Sequence, residues 1–123
     1  MALRYLLDEN LRGPVRAALE RANAARKDFA LEIACVGEEI DLPLGAADEE
    51  ILRWAEQHGF VLVSTDLRTM PQHLATHLKA GLHCPGVFLV ALPCSIPDLL
   101  EALFYFADDP AESQWRDQIT FIP

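Results

Sequence analysis

Two short, uninterrupted apolar runs constrain the fold of this 123-residue chain more than any other feature. They are FVLVS at 60–64 and GVFLVAL at 86–92, and stretches of helical character flank them. Apolar runs of this length are typical of strands that are buried on both faces. Such strands lie in a parallel sheet with helices on each side, because parallel neighbours need crossover connections.

The rest of the chain repeats this alternation of strand and helix. Further strands are predicted at 3–7, 29–36 and 117–122, and helices at 48–59, 71–80 and 97–106. One more helix follows the first strand, where apolar residues recur at helical spacing at Val15, Ala18, Leu19 and Ala22. We therefore expect one domain over 1–123, a three-layer α/β/α fold with a mainly parallel central sheet.

Individual residues indicate where helices begin and end. Asp48 is the predicted N-cap of helix 48–59, and Gly59 its end. Ser95 is the predicted N-cap of the last helix, with Asp98 three residues later. Aromatic residues at 54 and 104–106 fall among apolar neighbours, which indicates core packing or a homodimer surface.

Composition and termini indicate a cytoplasmic protein that does not bind membranes. No apolar run approaches the roughly 20 residues that a transmembrane helix needs. The N-terminus lacks the pattern of a secretory signal peptide. The three cysteines, Cys35, Cys84 and Cys94, have no paired spacing, which argues against a disulfide framework.

The net charge of −9 is unevenly distributed. Residues 1–27 contain six basic and three acidic side chains, whereas the rest contains four basic and sixteen acidic ones. Arg12 and Arg16, four residues apart, share one helix face. This face is either a ridge that contacts phosphates or an ordinary solvated helix surface, and the sequence leaves both open.

Three carboxylates are predicted to meet at the carboxyl edge of the sheet. Asp8 follows the first strand, Asp66 follows strand 60–64, and Asp48 opens the helix leading into that strand. Ligands bind at this edge in open α/β sheets. Carboxylates at such short distances repel one another unless a cation neutralises them. Hard oxygen ligands favour Mg²⁺ or Mn²⁺. Each acid also has an ordinary role as a helix cap or turn residue.

Neighbours of these acids are secondary or substrate-contact candidates. Glu9 adjoins Asp8, and Asn10 competes with Asp8 to cap the following helix. Thr65 or Ser64 is placed to orient a carboxylate by hydrogen bonding.

The loop after Asp66 carries three further candidates. Arg68 and Thr69 are predicted phosphate contacts, and His73 is a candidate for acid–base help or substrate binding. Ordinary surface roles remain open for all of them.

The segments LLDENL, DEEILRWAEQHGFVLVSTD, TMPQHL and PGVFLV resemble, in this order, the DUF5615 group of small PIN-like proteins. That group is related to the Mut7-C domain and to VapC-type toxins. The resemblance implies a PIN-like fold and a Mg²⁺- or Mn²⁺-dependent endoribonuclease with Asp8, Asp48 and Asp66 as catalytic metal ligands. A further acid of the PIN pattern has no clear counterpart. Glu38, Glu39 and Asp41 lie in that stretch.

The resemblance also implies partners: RNA as substrate and, if the protein is the toxin of a toxin–antitoxin pair, a cognate antitoxin. The alternative is a catalytically inactive PIN-like domain that binds protein or RNA. The charge of −9 and the missing acid favour this alternative. The three retained aspartates disfavour it.

Other site chemistries lack specific residues. Zinc at His73, His77, His83 and Cys84 lacks a recognised ligand spacing. A response-regulator receiver needs a lysine at the end of a late strand, and neither Lys27 nor Lys79 is at the end of a predicted strand. A haloacid-dehalogenase-like phosphatase needs a second aspartate where Asn10 stands. No glycine-rich phosphate loop is present in the sequence.

Overall fold

The computed structural model describes residues 4–26, 31–91, 93–107 and 112–122. Its strands are β1 (Tyr5–Leu7), β2 (Ile33–Cys35), β3 (Val61–Ser64), β4 (Val87–Val90) and β5 (Ile119–Ile122). Its α-helices are α1 (Pro14–Ala24), α2 (Asp48–His58), α3 (Met70–Lys79) and α4 (Ile96–Ala107). Two short 3-10 helices lie at Glu9–Leu11 and Glu112–Trp115.

The five strands form one sheet in the order β2-β1-β3-β4-β5, and every pairing is parallel. The expected parallel α/β sheet is therefore confirmed. From β1 the chain goes to β2 on one side and then returns to β3 on the other side. The junction of β1 and β3 is thus the point where the connections change direction, which is where open α/β sheets bind ligands.

Alternating side chains divide the core between the two faces of the sheet. Tyr5 and Leu7 pack on one face with residues of α1 and α4, such as Leu19 and Leu103. Leu6 packs on the opposite face with residues of α2 and α3. The sheet is therefore covered on both sides, and the architecture is the predicted three-layer α/β/α arrangement.

The ends of the elements differ from the predictions by a few residues. Ala47, not Asp48, is the N-cap of α2, so the predicted cap is wrong by one residue. Asp48 instead lies in the first turn, where a carboxylate interacts favourably with the helix dipole. Gly59 ends α2 in the left-handed conformation as predicted, and Ser95 Oγ accepts the predicted hydrogen bond from Asp98 N at 3.2 Å.

The strands are shorter than predicted. The predicted strands at 29–36 and 117–122 shrink to 33–35 and 119–122 in the structure. Residues 1–3, 27–30 and 92, where some predicted strand residues fall, lie outside the described part of the chain.

The aromatic residues for which core packing or a homodimer surface is predicted divide between the core and the surface. Trp54 is buried, and Phe106 packs on Trp115 and Phe88. Tyr105, however, is 72% exposed.

In the described ranges, no helix combines the length and apolar character that crossing a membrane requires. The three cysteines are free thiols.

Gly86, the residue before β4, lies close to the backbone of Trp115. Its φ is +147°, and an added Cβ would lie 2.7 Å from the carbonyl oxygen of Trp115. We expect Gly86→Ala to lower the free energy of unfolding by about 3 kcal/mol, because backbone strain and a backbone clash add. Urea unfolding followed by circular dichroism measures this loss.

The matched control is Gly45→Ala. Gly45 also has a positive φ, +80°, but an added Cβ would meet no atom within 4 Å. Only the left-handed conformation is then penalised, by about 1 kcal/mol. Equal losses for the two variants would contradict the packing assigned to Gly86.

Candidate functional site

Asp8 stands where β1 ends and joins the first strand to the 3-10 helix that follows. Its backbone N–H donates to Val63 O at 3.0 Å. Its Oδ1 accepts a hydrogen bond from Asn10 N at 3.0 Å, which makes Asp8 the N-cap of the 3-10 helix Glu9–Leu11. Of the two competing candidates for this cap, Asp8 and Asn10, the structure therefore selects Asp8.

The second oxygen of Asp8 is bound by β3 and the residue after it. Oδ2 accepts hydrogen bonds from Ser64 Oγ at 2.8 Å and from Thr65 N at 3.1 Å. Ser64 Oγ also accepts a hydrogen bond from Asp66 N at 3.1 Å. The Ser64 hydroxyl thus links the two aspartates, whereas Thr65 contributes its backbone N–H to Asp8.

Burial and hydrogen bonding act in opposite directions on Asp8. The residue is only 8% exposed. Desolvation raises the pKa of its carboxyl group above the ordinary value of 3.8, although the bonds from Ser64, Thr65 and Asn10 lower it. A carboxylate held in such a place interacts favourably with any added positive charge.

Asp66 shapes the loop between β3 and α3. Its Oδ1 accepts hydrogen bonds from the backbone N–H groups of Arg68 and Thr69 at 3.1 and 3.0 Å. Its Oδ2 accepts the Thr69 hydroxyl hydrogen bond. These bonds, those from Thr69 foremost, lower the pKa of Asp66 below 3.8. Arg68 and Thr69, predicted as phosphate contacts, thus both bind Asp66 through the backbone.

Asp48 contacts a neighbouring helix. Its Oδ2 lies 3.1 Å from Nε2 of His73 on α3, and both side chains are about one-third exposed. His73, predicted as an acid–base or substrate group, is therefore the partner of a predicted metal ligand.

The three aspartates line one cavity of about 100 Å³. The cavity lies beside the junction of β1 and β3, and its walls are Asp8, Glu9, Asn10, Ala46, Asp48, Ile51, Leu62, Ser64, Asp66 and Met70. Glu9 and Asn10, predicted as secondary residues, belong to this wall as well. The structure thus places acids that are 40 and 18 residues apart in sequence around a single space.

The other predicted residues lie elsewhere. Arg12 and Arg16 bind the Glu38 carboxylate, with Arg12 Nε 3.5 Å from Glu38 Oε2. Asp41 accepts a hydrogen bond from Trp54 Nε1 at 2.9 Å. Neither Glu38, Glu39 nor Asp41 lines the described wall of the cavity.

The donor chemistry of the cavity fits a hard divalent cation, although the ligands are not closely gathered. Across the described ranges, no three His, Cys, Asp or Glu side chains form a group that could hold a metal ion, and this includes the histidines considered for zinc. Mg²⁺ commonly takes one or two carboxylates and keeps several waters. About 100 Å³ holds roughly three waters at about 30 Å³ each. The residues therefore fit a cation that is held largely through water.

The hydroxyl of Ser64 is the site group that the sequence indicated least clearly. The only signal was a polar residue at the end of an otherwise apolar strand. Ser64 is 1% exposed, and a buried hydroxyl needs a hydrogen-bond partner.

Comparison of the chain with protein-family models, curated proteins and solved structures finds no match.

The opposite pKa shifts of Asp8 and Asp66 predict opposite effects of pH on stability. The pKa of Asp8 is raised in the folded state. Its contribution to the free energy of unfolding is therefore largest at low pH and is lost as pH rises through the folded pKa, above 3.8. The pKa of Asp66 is lowered, so its contribution is full above 3.8 and is lost as pH falls. Urea unfolding between about pH 3 and about pH 7 measures both effects.

Subtracting the unfolding free energy of a variant from that of the wild type isolates the contribution of one carboxyl group. The unfolding free energy of the wild type minus that of Asp8→Asn should fall as pH rises, and the difference for Asp66→Asn should rise. A difference for Asp8→Asn that rises with pH would show that burial does not govern the pKa of Asp8, and a difference for Asp66→Asn that falls would contradict the role of the Thr69 hydrogen bonds.

Proposed function

We propose that the protein is a metal-dependent phosphodiester hydrolase of the PIN-like type that cleaves RNA, with Asp8, Asp48 and Asp66 as its metal ligands. The observation that carries this proposal is the buried carboxylate of Asp8 on a polar cavity that two further aspartates share. A carboxylate that served only as a helix cap would ordinarily be exposed to solvent.

Mg²⁺ or Mn²⁺ is the cofactor that these oxygen donors favour. A carboxylate has about four lone pairs. The described hydrogen bonds take three lone pairs at Asp8 and three at Asp66, and the contact with His73 takes one at Asp48. When bound, the ion would supply an activated water and would neutralise charge on a phosphoryl group.

The surrounding residues would hold the ligands in place. Ser64 and the Thr65 N–H fix Asp8, and Thr69 fixes Asp66. His73, which lies on α3, holds Asp48 in position. Such supporting hydrogen bonds typically change metal affinity or activity by about 10–100-fold.

The size of the cavity favours a polymer backbone as substrate over a small molecule. Pockets that enclose drug-sized ligands measure about 300–1,000 Å³, several times the volume here. A phosphodiester group with an ion and water would fit, whereas a nucleoside would remain outside. The exposed Arg68, in the loop after Asp66, is a candidate phosphate contact from the protein surface.

The biological setting is part of this proposal. A PIN-like ribonuclease in the cytoplasm could serve as the toxin of a toxin–antitoxin pair, with its antitoxin as a second partner. A genomic neighbourhood without a small adjacent reading frame would count against that role.

A catalytically inactive, PIN-like binding module is the second candidate, and a specific observation favours it. Two of the three acids in the stretch where the PIN pattern has its further carboxylate are engaged elsewhere: Arg12 and Arg16 bind Glu38, and Trp54 binds Asp41. Metal binding without RNA cleavage, or RNA binding that needs no metal, would support this candidate.

Calorimetric titration with Mn²⁺ and cleavage of a labelled single-stranded RNA test the proposed hydrolase. We expect the wild type to bind Mn²⁺ and to cleave only with the metal present. Asp8→Asn and Asp66→Asn should each lose cleavage by about 100-fold or more, the size of effect that losing one electrostatic group has in other active sites.

The matched control is Glu50→Gln. Glu50 lies in the same first turn of α2 as Asp48, is exposed and does not line the cavity. This variant also removes one negative charge, so it should bind Mn²⁺ and cleave as the wild type does. Undiminished cleavage by both aspartate variants would refute the assigned site.

A further inference from the structure

Strand β5 forms one edge of the sheet, and no described strand lies beyond it. Toward β4, the carbonyl oxygens of Gln118 and Ile122 accept hydrogen bonds from Val87 N and Ala91 N. Because strand residues alternate in direction, the N–H and C=O groups of Ile119 and Phe121 point away from β4. The outer edge of β5 thus presents backbone groups that can pair with another strand.

The composition of β5 does not protect this edge. Its residues are Ile, Thr, Phe and Ile, without a charged or proline residue. Proteins usually protect exposed edges with charges, proline, bulges or a covering segment. Phe121 is nevertheless 62% exposed. An apolar edge of this kind is suited to a strand supplied by a binding partner.

A groove lies beside the same edge, between β5 and α4. It measures about 510 Å³, and its walls are Asp98, Glu101, Ala102, Tyr105, Phe106 and Ile122. The wall is mainly apolar, and Tyr105 is 72% exposed there. Side chains of a strand added to β5 would alternate, so every second one would face this groove.

Charge indicates which occupant the groove suits. Among the described residues of its wall, the two charged ones, Asp98 and Glu101, are acidic. A second copy of the chain carries a net charge of −9 as a whole. Electrostatic complementarity therefore favours a basic partner over self-association.

We propose that the outer edge of β5 and the adjoining α4 groove bind an extended segment of a partner protein that alternates basic and apolar residues. The segment pairs with Ile119 and Phe121 as a sixth strand. Its basic side chains face the groove, where their aliphatic stems lie on Tyr105 and Phe106 and their charged ends contact Asp98 and Glu101. Its apolar side chains lie on the opposite face of the sheet, beside the exposed Phe121. This interaction does not depend on the proposed hydrolase activity, because none of these residues lines the aspartate cavity.

A fluorescent peptide of about eight alternating Arg and Val residues is the probe, and its binding is followed by fluorescence anisotropy. The full-length wild type should bind it. A second peptide with proline at two central Val positions carries the same charge but lacks donors for strand pairing. We expect the proline peptide to bind at least about 10-fold more weakly.

Two variants with the same change in net charge separate local recognition from general attraction. Glu101→Lys should weaken binding of the Arg–Val peptide by about 10-fold or more, whereas Glu50→Lys, at an exposed site on α2, should change it less than about 3-fold. Equal weakening by both variants, or equal binding of both peptides, would overturn the proposal.

Sedimentation of the unliganded protein tests the rival occupant. We expect both the wild type and Phe121→Lys to be monomers. A wild-type dimer that Phe121→Lys dissociates would assign the edge to a second copy of the chain and would also overturn the proposal.

Discussion

The buried carboxylate of Asp8 is the constraint around which the centre of the molecule is arranged. One of its oxygens caps the 3-10 helix that turns the chain out of β1, and the other accepts hydrogen bonds from Ser64 and Thr65 at the end of β3. Asp8 therefore ties the two neighbouring strands together at the point where their connections diverge. Desolvation of the ionised group opposes this arrangement, and the hydrogen bonds compensate for it only in part, since the pKa remains raised. A protein without a use for this carboxylate would lose little by replacing it with a neutral cap such as serine or asparagine.

Much of the fold could be predicted because its signals are local. The apolar runs that contain β3 and β4 indicate strands buried on both faces, and Gly59 marks the end of α2. The strand boundaries are harder to predict from the sequence, because β1 and β2 have only three residues each. The exposure of Tyr105 could not be predicted either. Neighbouring positions on an apolar helix look alike in sequence, and which of them faces the sheet depends on how α4 packs.

The position of the candidate site could be predicted for a different reason. Strand ends are visible in sequence, and parallel strands place their carboxyl ends together, so Asp8 and Asp66 were expected to be neighbours. What each carboxylate binds could not be predicted, because the partners come from other elements. His73 reaches Asp48 from α3. Arg12 and Arg16, which looked like a cationic ridge, bind Glu38 from the segment after β2. Counting charges in one segment does not reveal a partner that is 22 residues away or more.

The net negative charge of the chain relates the aspartate cavity to the proposed docking surface on β5 and α4. With a net charge of −9, and with Arg12 and Arg16 paired to Glu38, the protein offers RNA little long-range attraction. A metal ion at the aspartates would change the field only over about the 8 Å to which physiological salt limits exposed charges. A basic segment on β5 and α4 would reduce the net negative charge of the whole assembly, and so would lower the repulsion that an approaching polyanion meets. On this view the apolar edge strand and the acidic groove do more than attract a partner. If the protein cleaves RNA as proposed, occupying them would raise the rate of RNA association without any change at Asp8, because steering depends on the summed charge rather than on contacts in the site.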